Sequence, residues 1–468
     1  MKFFKFEILI ILFLIFIKNY LAKIEWFNKI DPNDKSKLYH DKTIPSYEFF
    51  TPSKLICIKK CLSLNSSCQF FEHTIQGICS FFDQDQLNNL FPNNRIDIIQ
   101  SGLRLIVPFA FEKCKQVQVL NISFNNLKQI YSKSFYGMFK LRVLLIDSNN
   151  MSNLESDVFQ DVPLLNNLNL KDNLIKNLDD NLFDYSRELV TIHLGSNQIE
   201  WLDRGIFKNL RKLKYLFINN NRLKILEPLF DNLESLEFLD VSFNQIDTIQ
   251  NDTFKNLKQI KKIYITDKQL PEINSETFKG AYNLENLRMS INKIQRIYEN
   301  FSKDFQNLTE LDLSHNNLSF IKPEFFNGFL KLEHLRLYNC SLKNIELNSL
   351  VNLKVLLLTA NQIKYFSQNL SALTHLYLYA NPLVNLSFPL ISSESSSLQF
   401  LDISSCQLKF IDFGVLKNLT NLETLKMVGN PITLDSQSFI GFKNLKNVDV
   451  DFLDVPRLKS FFPNINFT

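Results

Sequence analysis

The chain has 468 residues, with 52 Lys or Arg against 48 Asp or Glu, a formal charge of +4 with both signs dispersed along its length. That dispersion leaves no basic stripe for nucleic acid and no polybasic patch for a membrane surface. Gly is scarce at 10 residues and no Gly-rich phosphate-cradling loop occurs, whereas Phe, at 44, is unusually abundant.

Residues 1–22 read as a secretory signal, with Lys2 and Lys5 ahead of the apolar run Ile8 to Ile17. That run is too short to span a bilayer as a helix. Cleavage is expected after Ala22, but Tyr20 suits the site poorly, so an uncleaved N-terminal anchor stands as the alternative. No later run approaches membrane length.

Residues 23–95 carry four of the seven cysteines, Cys57, Cys61, Cys68 and Cys79. Such clustering is expected of a disulfide-stapled cap in an oxidising compartment. Without a nearby His pair the spacing is unlike a zinc finger. Thr51 and Pro52 open a predicted helix that places Cys57 and Cys61 one turn apart. Two short predicted strands come next, each with one cysteine. The pattern C-x3-C-x6-C-x2-F…C resembles a PAN/apple module, and that resemblance implies bridges Cys57–Cys79 and Cys61–Cys68. The other reading is a plain cap that shields the apolar end of the first repeat.

Residues 96–468 repeat one phrase. An apolar residue, two variable ones, Leu, one variable, Leu, two variable, Asn, one variable and Leu recur, as in Val117 to Leu127 and Leu308 to Leu318. The phrase opens at Val117, Leu141, Leu165, Leu189, Leu213, Leu236, Ile260, Leu284, Leu308 and Leu332, in steps of 24 broken once by 23. It continues at Leu353, Leu373, Leu398, Leu422 and Leu445, in steps of 21, 20, 25, 24 and 23. Ile96, Ile98, Ser101 and Leu103 fit a weaker first unit. Such a period marks a solenoid whose units bury their cores only against each other.

The alternating apolar pairs, such as Leu120 and Ile122, predict one short strand per unit, stacking into a parallel sheet. The Asn column (Asn125, Asn149 and onward) is predicted to be buried and to bond backbone groups where the chain turns away. Lys268 falls in that column, and a local distortion is expected there. A Phe series (Phe111, Phe135, Phe159, Phe183, Phe207, Phe230, Phe254, Phe278, Phe326, Phe439) is expected to form a buried spine. Each ring contributes roughly 1.5–3 kcal/mol of burial. Cys340 and Cys406 lie in the Asn column and Cys114 on a Leu position, so all three are expected to be free, buried thiols. The last segment (Phe452 to Thr468) has no cysteine. Either it caps the array or the chain continues.

The phrase resembles the typical class of extracellular leucine-rich repeats, with consensus LxxLxLxxNxLxxL…F, over about three quarters of the chain. It is similar to the ectodomains of adhesion and Toll-like receptors and to secreted repeat proteins. The resemblance implies an α/β solenoid, a horseshoe with a parallel sheet on its concave face, and recognition of an extracellular protein.

In such a fold the outward strand positions do the binding. The central column reads Asn121, Leu145, Asn169, His193, Phe217, Asp240, Tyr264, Arg288, Asp312, Arg336, Leu357, Tyr377, Asp402 and Lys426. Exposed aromatic and Arg side chains suit protein recognition. Two groups stand out: Tyr215, Phe217 and Tyr264, with Arg288 beside them, and Arg336, Tyr338, Tyr377 and Tyr379.

Sequons begin at Asn65, Asn121, Asn150, Asn251, Asn300, Asn307, Asn317, Asn339, Asn369, Asn385, Asn418 and Asn466, of which Asn121 and Asn339 are expected on the concave sheet. Ser314 and His315 are neighbours pointing apart, so no triad is expected. The sequence suggests an exported, non-enzymatic binding protein with no cofactor, metal or nucleic-acid partner. The alternatives are an innate-immune pattern-recognition protein for microbial glycan or lipid, and a structural matrix component.

Overall fold

A computed structural model describes residues 94–99, 102–267, 269–393 and 395–468. Within them, 17 short strands join into one parallel sheet, each unit adding a single strand. The strands run from Arg95–Asp97 through Val119–Asn121 and Tyr215–Phe217 to Thr424–Lys426, Asn447–Asp449 and Asn466–Phe467. Leu120, Leu144, Leu168 and their successors turn inward and are fully buried. The weak first unit is real: Ile96 pairs in register with Leu120, and Ile98 and Leu103 are buried. Helix is scarce. Described helical pieces are Phe301–Asp304, Phe413–Lys417 and Val455–Phe461, with a 3-10 turn at Pro323–Phe326.

The Phe spine forms as expected. Phe111, Phe135, Phe159, Phe183 and Phe207 stack face to face with centroids 6.2–6.4 Å apart. Phe230, Phe254 and Phe278 form a second run, and the 23-residue step from Leu213 to Leu236 lies between the two. Phe301 and Phe305, outside the predicted series, fill the gap between Phe278 and Phe326. Neighbouring strands in a sheet lie only about 4.7–4.9 Å apart. The wider spacing at most of the spine therefore wedges the units and bends the stack towards the sheet, which becomes the inner face.

Each buried Asn ties two units together. Asn197 Nδ2 donates to Leu194 O and Gly195 O in its own unit and to Leu170 O in the preceding one, while its Oδ1 accepts from Ile175 N. Lys268 lies outside the described residues, but its neighbourhood departs from the pattern. Buried Asp267 accepts from Ile246 N, the bond an Asn makes elsewhere. In the next unit Asn292 Oδ1 has no hydrogen-bond partner among the described residues.

Cys340 and Cys406 are free and buried, and burial pushes both thiols up to about 12. Cys114 corrects the expectation of a third free thiol, because it is disulfide-bonded. It stands in the first units of the array, the end nearest in sequence to the N-terminal cysteine cluster. Its partner lies outside the described residues. So do residues 1–22, Asn65, Cys57, Cys61, Cys68 and Cys79, and with them the signal, the cap and its pairings. No helix among the described residues is long and apolar enough to cross a membrane.

Candidate binding face on the parallel sheet

The predicted central column is a true ladder. Strand register places His193 beside Phe217, Phe217 beside Asp240, then Tyr264, Arg288, Asp312, Arg336, Leu357, Tyr377, Asp402 and Lys426 in turn. Period-two alternation puts the first residue of each strand on the same face. Two outward columns therefore run side by side, and the sequence reading weighed chiefly one.

Several members of the column are committed locally. Asn121, Asn169, Asp240, Asp312 and Asp402 each accept, through Oδ1, the backbone N–H two residues on, which caps the strand end. Lys426 pairs with Asp449 at 2.6 Å. What stays outward is largely aromatic, cationic or aliphatic.

The first group becomes a continuous ridge. His193 stacks on Phe217 with centroids 4.0 Å apart and planes 7° from parallel. Phe217 meets Phe238 at 5.0 Å, and Phe238 meets Tyr264 edge-on at 5.0 Å. The Arg288 guanidinium lies 4.5 Å from the Tyr264 ring centre, a cation–π contact. Tyr215 stands at the margin, 40% exposed. Phe238 is the residue that sequence reasoning missed. It precedes Asp240 by two positions, so the period of the strand was the signal that could have found it.

Beyond Arg288 the ridge becomes ionic. Glu310 Oε2 accepts from Asn286 Nδ2 at 2.7 Å and lies 3.7 Å from Arg288 Nη2 and 3.6 Å from Arg336 Nη1. One carboxylate thus serves two guanidinium groups on the strands to either side. Burial holds the His193 imidazole below its ordinary value and raises the Asp240 carboxyl and the Tyr264 phenol. All three are half-buried against the sheet.

The second group divides. Arg336 turns to Glu310, and the strand Val355–Leu357 separates it from Tyr377. Tyr377 packs on Phe400 at 4.8 Å, and His375 stacks on that same ring at 5.7 Å. Tyr338 contacts the His315 ring edge-on at 4.6 Å, and Tyr379 is 42% exposed. Ser314 and His315 do diverge: Ser314 Oγ accepts from Tyr338 N, while His315 Nδ1 lies 2.8 Å from Asn339 Nδ2.

The sequons sort by exposure. Asn150, Asn251, Asn300, Asn317, Asn369, Asn385, Asn418 and Asn466 are exposed, and Asn307 is half-buried. Asn121 does lie in a sheet strand, where it is 7% exposed and its Oδ1 accepts from Ser123 N. Asn339, expected on the sheet, lies just past the strand His334–Arg336 in a left-handed turn with φ 53°. It is exposed there.

The BspA type leucine rich repeat region, a model of six copies, matches residues 88–214 and 223–356. A general leucine rich repeat model matches residues 187–246. The chain belongs to the leucine-rich-repeat proteins. No curated protein matches it. Among solved structures, a leucine-rich-repeat protein of Leptospira interrogans is 23% identical with a TM-score of 0.69, covering 82% of this chain and 98% of that one. TLR13 in its complex with ssRNA13 is 21% identical at a TM-score of 0.62, covering 80% of this chain and 53% of that one. Toll of Drosophila, in complex with Spatzle, is 23% identical at 0.63, covering 75% and 49%. This leucine-rich-repeat chain thus spans about half the length of the two receptors and nearly all of the bacterial protein. At these identities the likeness is one of fold. The leucine-rich-repeat solenoid is typically a binding scaffold.

Proposed function

We propose that this protein is an exported, non-enzymatic binding protein that recognises an extracellular protein through the concave face of its sheet. The observation that carries the reading is the unbroken ridge from His193 through Phe217, Phe238 and Tyr264 to Arg288. Aromatic and Arg side chains held on rigid strands supply contact area at low entropic cost, and such residues dominate protein interfaces. Export is supported by the signal-like residues 1–22 and by the many exposed sequons. The relatives of known structure include a receptor bound to RNA and one bound to a protein. The outward columns interleave acids with Arg and Lys rather than forming the continuous basic track that RNA would favour.

The test is a screen of the secreted chain against arrayed extracellular proteins, glycans and single-stranded RNA. A variant with Tyr215, Phe217 and Tyr264 changed to Ala runs in parallel, and a second with Tyr338, Tyr377 and Tyr379 changed to Ala. A protein hit lost in either folded variant supports the reading. A hit that survives both moves binding off the concave face, and a glycan hit turns the reading towards pattern recognition.

A further inference from the structure

We propose that the concave face receives a protein segment carrying an Asp or Glu beside an apolar side chain, with the carboxylate seated between Arg288 and Arg336. This rests on the protein-recognition reading above and narrows the partner to one chemistry.

The two guanidinium groups are crowded yet under-bonded. Their shared Glu310 oxygen lies 3.6 Å from one and 3.7 Å from the other, ion-pair rather than hydrogen-bond distances. That oxygen makes its short bond to Asn286 Nδ2 instead. Arg288 Nε and Arg336 Nη1 are shielded from solvent, and among the described residues neither has a hydrogen-bond partner. Buried donors in native proteins are ordinarily satisfied, and both side chains remain partly exposed, at 40% and 29%, so an acceptor can reach their outer N–H groups. Asp312 stands between the arginines in the ladder but turns its Oδ1 to Ser314 N. A planar carboxylate is the acceptor that guanidinium groups fit best, in the bidentate arrangement.

The surroundings select the rest of the partner. Tyr264 holds Arg288 from below by its ring, and Phe238 and Phe217 extend an apolar strip away from the ionic centre. An apolar residue beside the carboxylate would lie on that strip. The same face carries Asp147, Asp240 and Asp402, while Asp449 is paired with Lys426. A polyanion threading the face would meet those carboxylates repeatedly, whereas a single acidic side chain entering at the arginines would not. The face therefore favours a locally acidic protein segment over RNA or a sulfated glycan.

The test immobilises the secreted full chain and measures Kd for synthetic peptides with a central Leu-X-Phe, where X is Asp, Glu, Asn or Lys. Heparin and poly(U) RNA serve as polyanion probes. Asp and Glu peptides are expected to bind about tenfold or more tightly than the Asn peptide, with Lys weakest. Arg288→Met with Arg336→Met should remove that preference. Glu310→Gln, which frees both guanidinium groups while keeping an acceptor for Asn286, should strengthen acidic peptides several-fold. It also guards against misreading a folding defect in the double variant. Equal binding of Asp and Asn peptides, still lost on Phe217→Ala, would overturn the acidic preference and leave concave recognition standing. Heparin or RNA binding that disappears with the arginines would overturn it in favour of a polyanion. No peptide binding by a chain with unchanged melting overturns it as well. The wider reading fails differently, when a protein partner is captured and every concave variant still binds it.

Discussion

The units that open from Val117 to Leu332 and those that open from Leu353 to Leu445 solve the same packing problem differently. The first set keeps its 24-residue step with one lapse, stacks Phe on Phe behind the sheet and fills the Asn column except at Lys268 and Cys340. The second takes irregular steps of 21, 20 and 25 and places Leu347 and Leu416 at the spine's spacing before a Phe returns at Phe439. The turn before the Asn column holds a left-handed residue in both sets. In the regular set it is Ser148, Asp172, Ser196 or Asn220 in some units and the bulky Phe124, Phe243 or Ile291 in others, whereas the later set keeps it small, at Ala360, Ala380, Ser405 and Gly429.

The largest effect expected is in the spine. Phe159→Ala should cost about 3–5 kcal/mol in chemical denaturation, because the ring is fully buried between two others. Leu347→Ala should lie at the lower end of the roughly 2–5 kcal/mol range for aliphatic truncation. Equal losses would erase the distinction between the two regions.

Next comes the polar column. Asn197→Ala strands Ile175 N, while Leu170 O and Leu194 O keep the amides of Asn173 and Asn221, and a buried group left unbonded costs about 1–3 kcal/mol. Cys406 has Leu378 O at 3.1 Å as the best acceptor for its thiol, so Cys406→Ala should cost only about 1 kcal/mol beyond its small cavity. Urea titration of both variants measures the difference, and a costlier Cys406→Ala would break the comparison.

A gain is expected at the turns. Phe243 holds φ 56° while 57% exposed, a conformation that costs a bulky residue about 1–2 kcal/mol and an Asn much less. Phe243→Asn should raise the melting temperature, whereas Ala380→Asn, at φ 58° with a small side chain already, should raise it less.

The smallest effect is the pH dependence of His193. Burial, aided by Lys171 and opposed by Asp147, holds its folded-state value below the ordinary 6.5. The unfolded chain therefore takes up the proton first, and stability falls as pH drops below 6.5 until folded His193 is protonated too. His193→Gln should flatten the acid side of a melting profile taken from about pH 8 to about pH 5. An unchanged slope would assign the decline to other groups.

Much of this was legible in the sequence because a fixed step converts position into place. The strand residues, the Asn column, the spine from Phe111 to Phe278 and the outward ladder all come from counting. Phe301 and Phe305 escaped because they enter the spine from a unit that lacks its own Phe at the expected spacing. Arg336 and Tyr377 share the predicted column, but the strand Val355–Leu357 lies between them, so each meets a different neighbour.

The sequence by itself determined the solenoid, its register and the column each side chain occupies, since the apolar period leaves one way to bury every unit. Only the tertiary structure decided which neighbours meet. It set Phe238 between Phe217 and Tyr264, placed Glu310 beside two arginines, and spent five Asx side chains on their own strand ends. The ring and ion contacts join residues about one unit apart, the Asx bonds residues two apart, and all of them turn on side-chain direction and hydrogen-bond competition, which a repeat pattern does not encode.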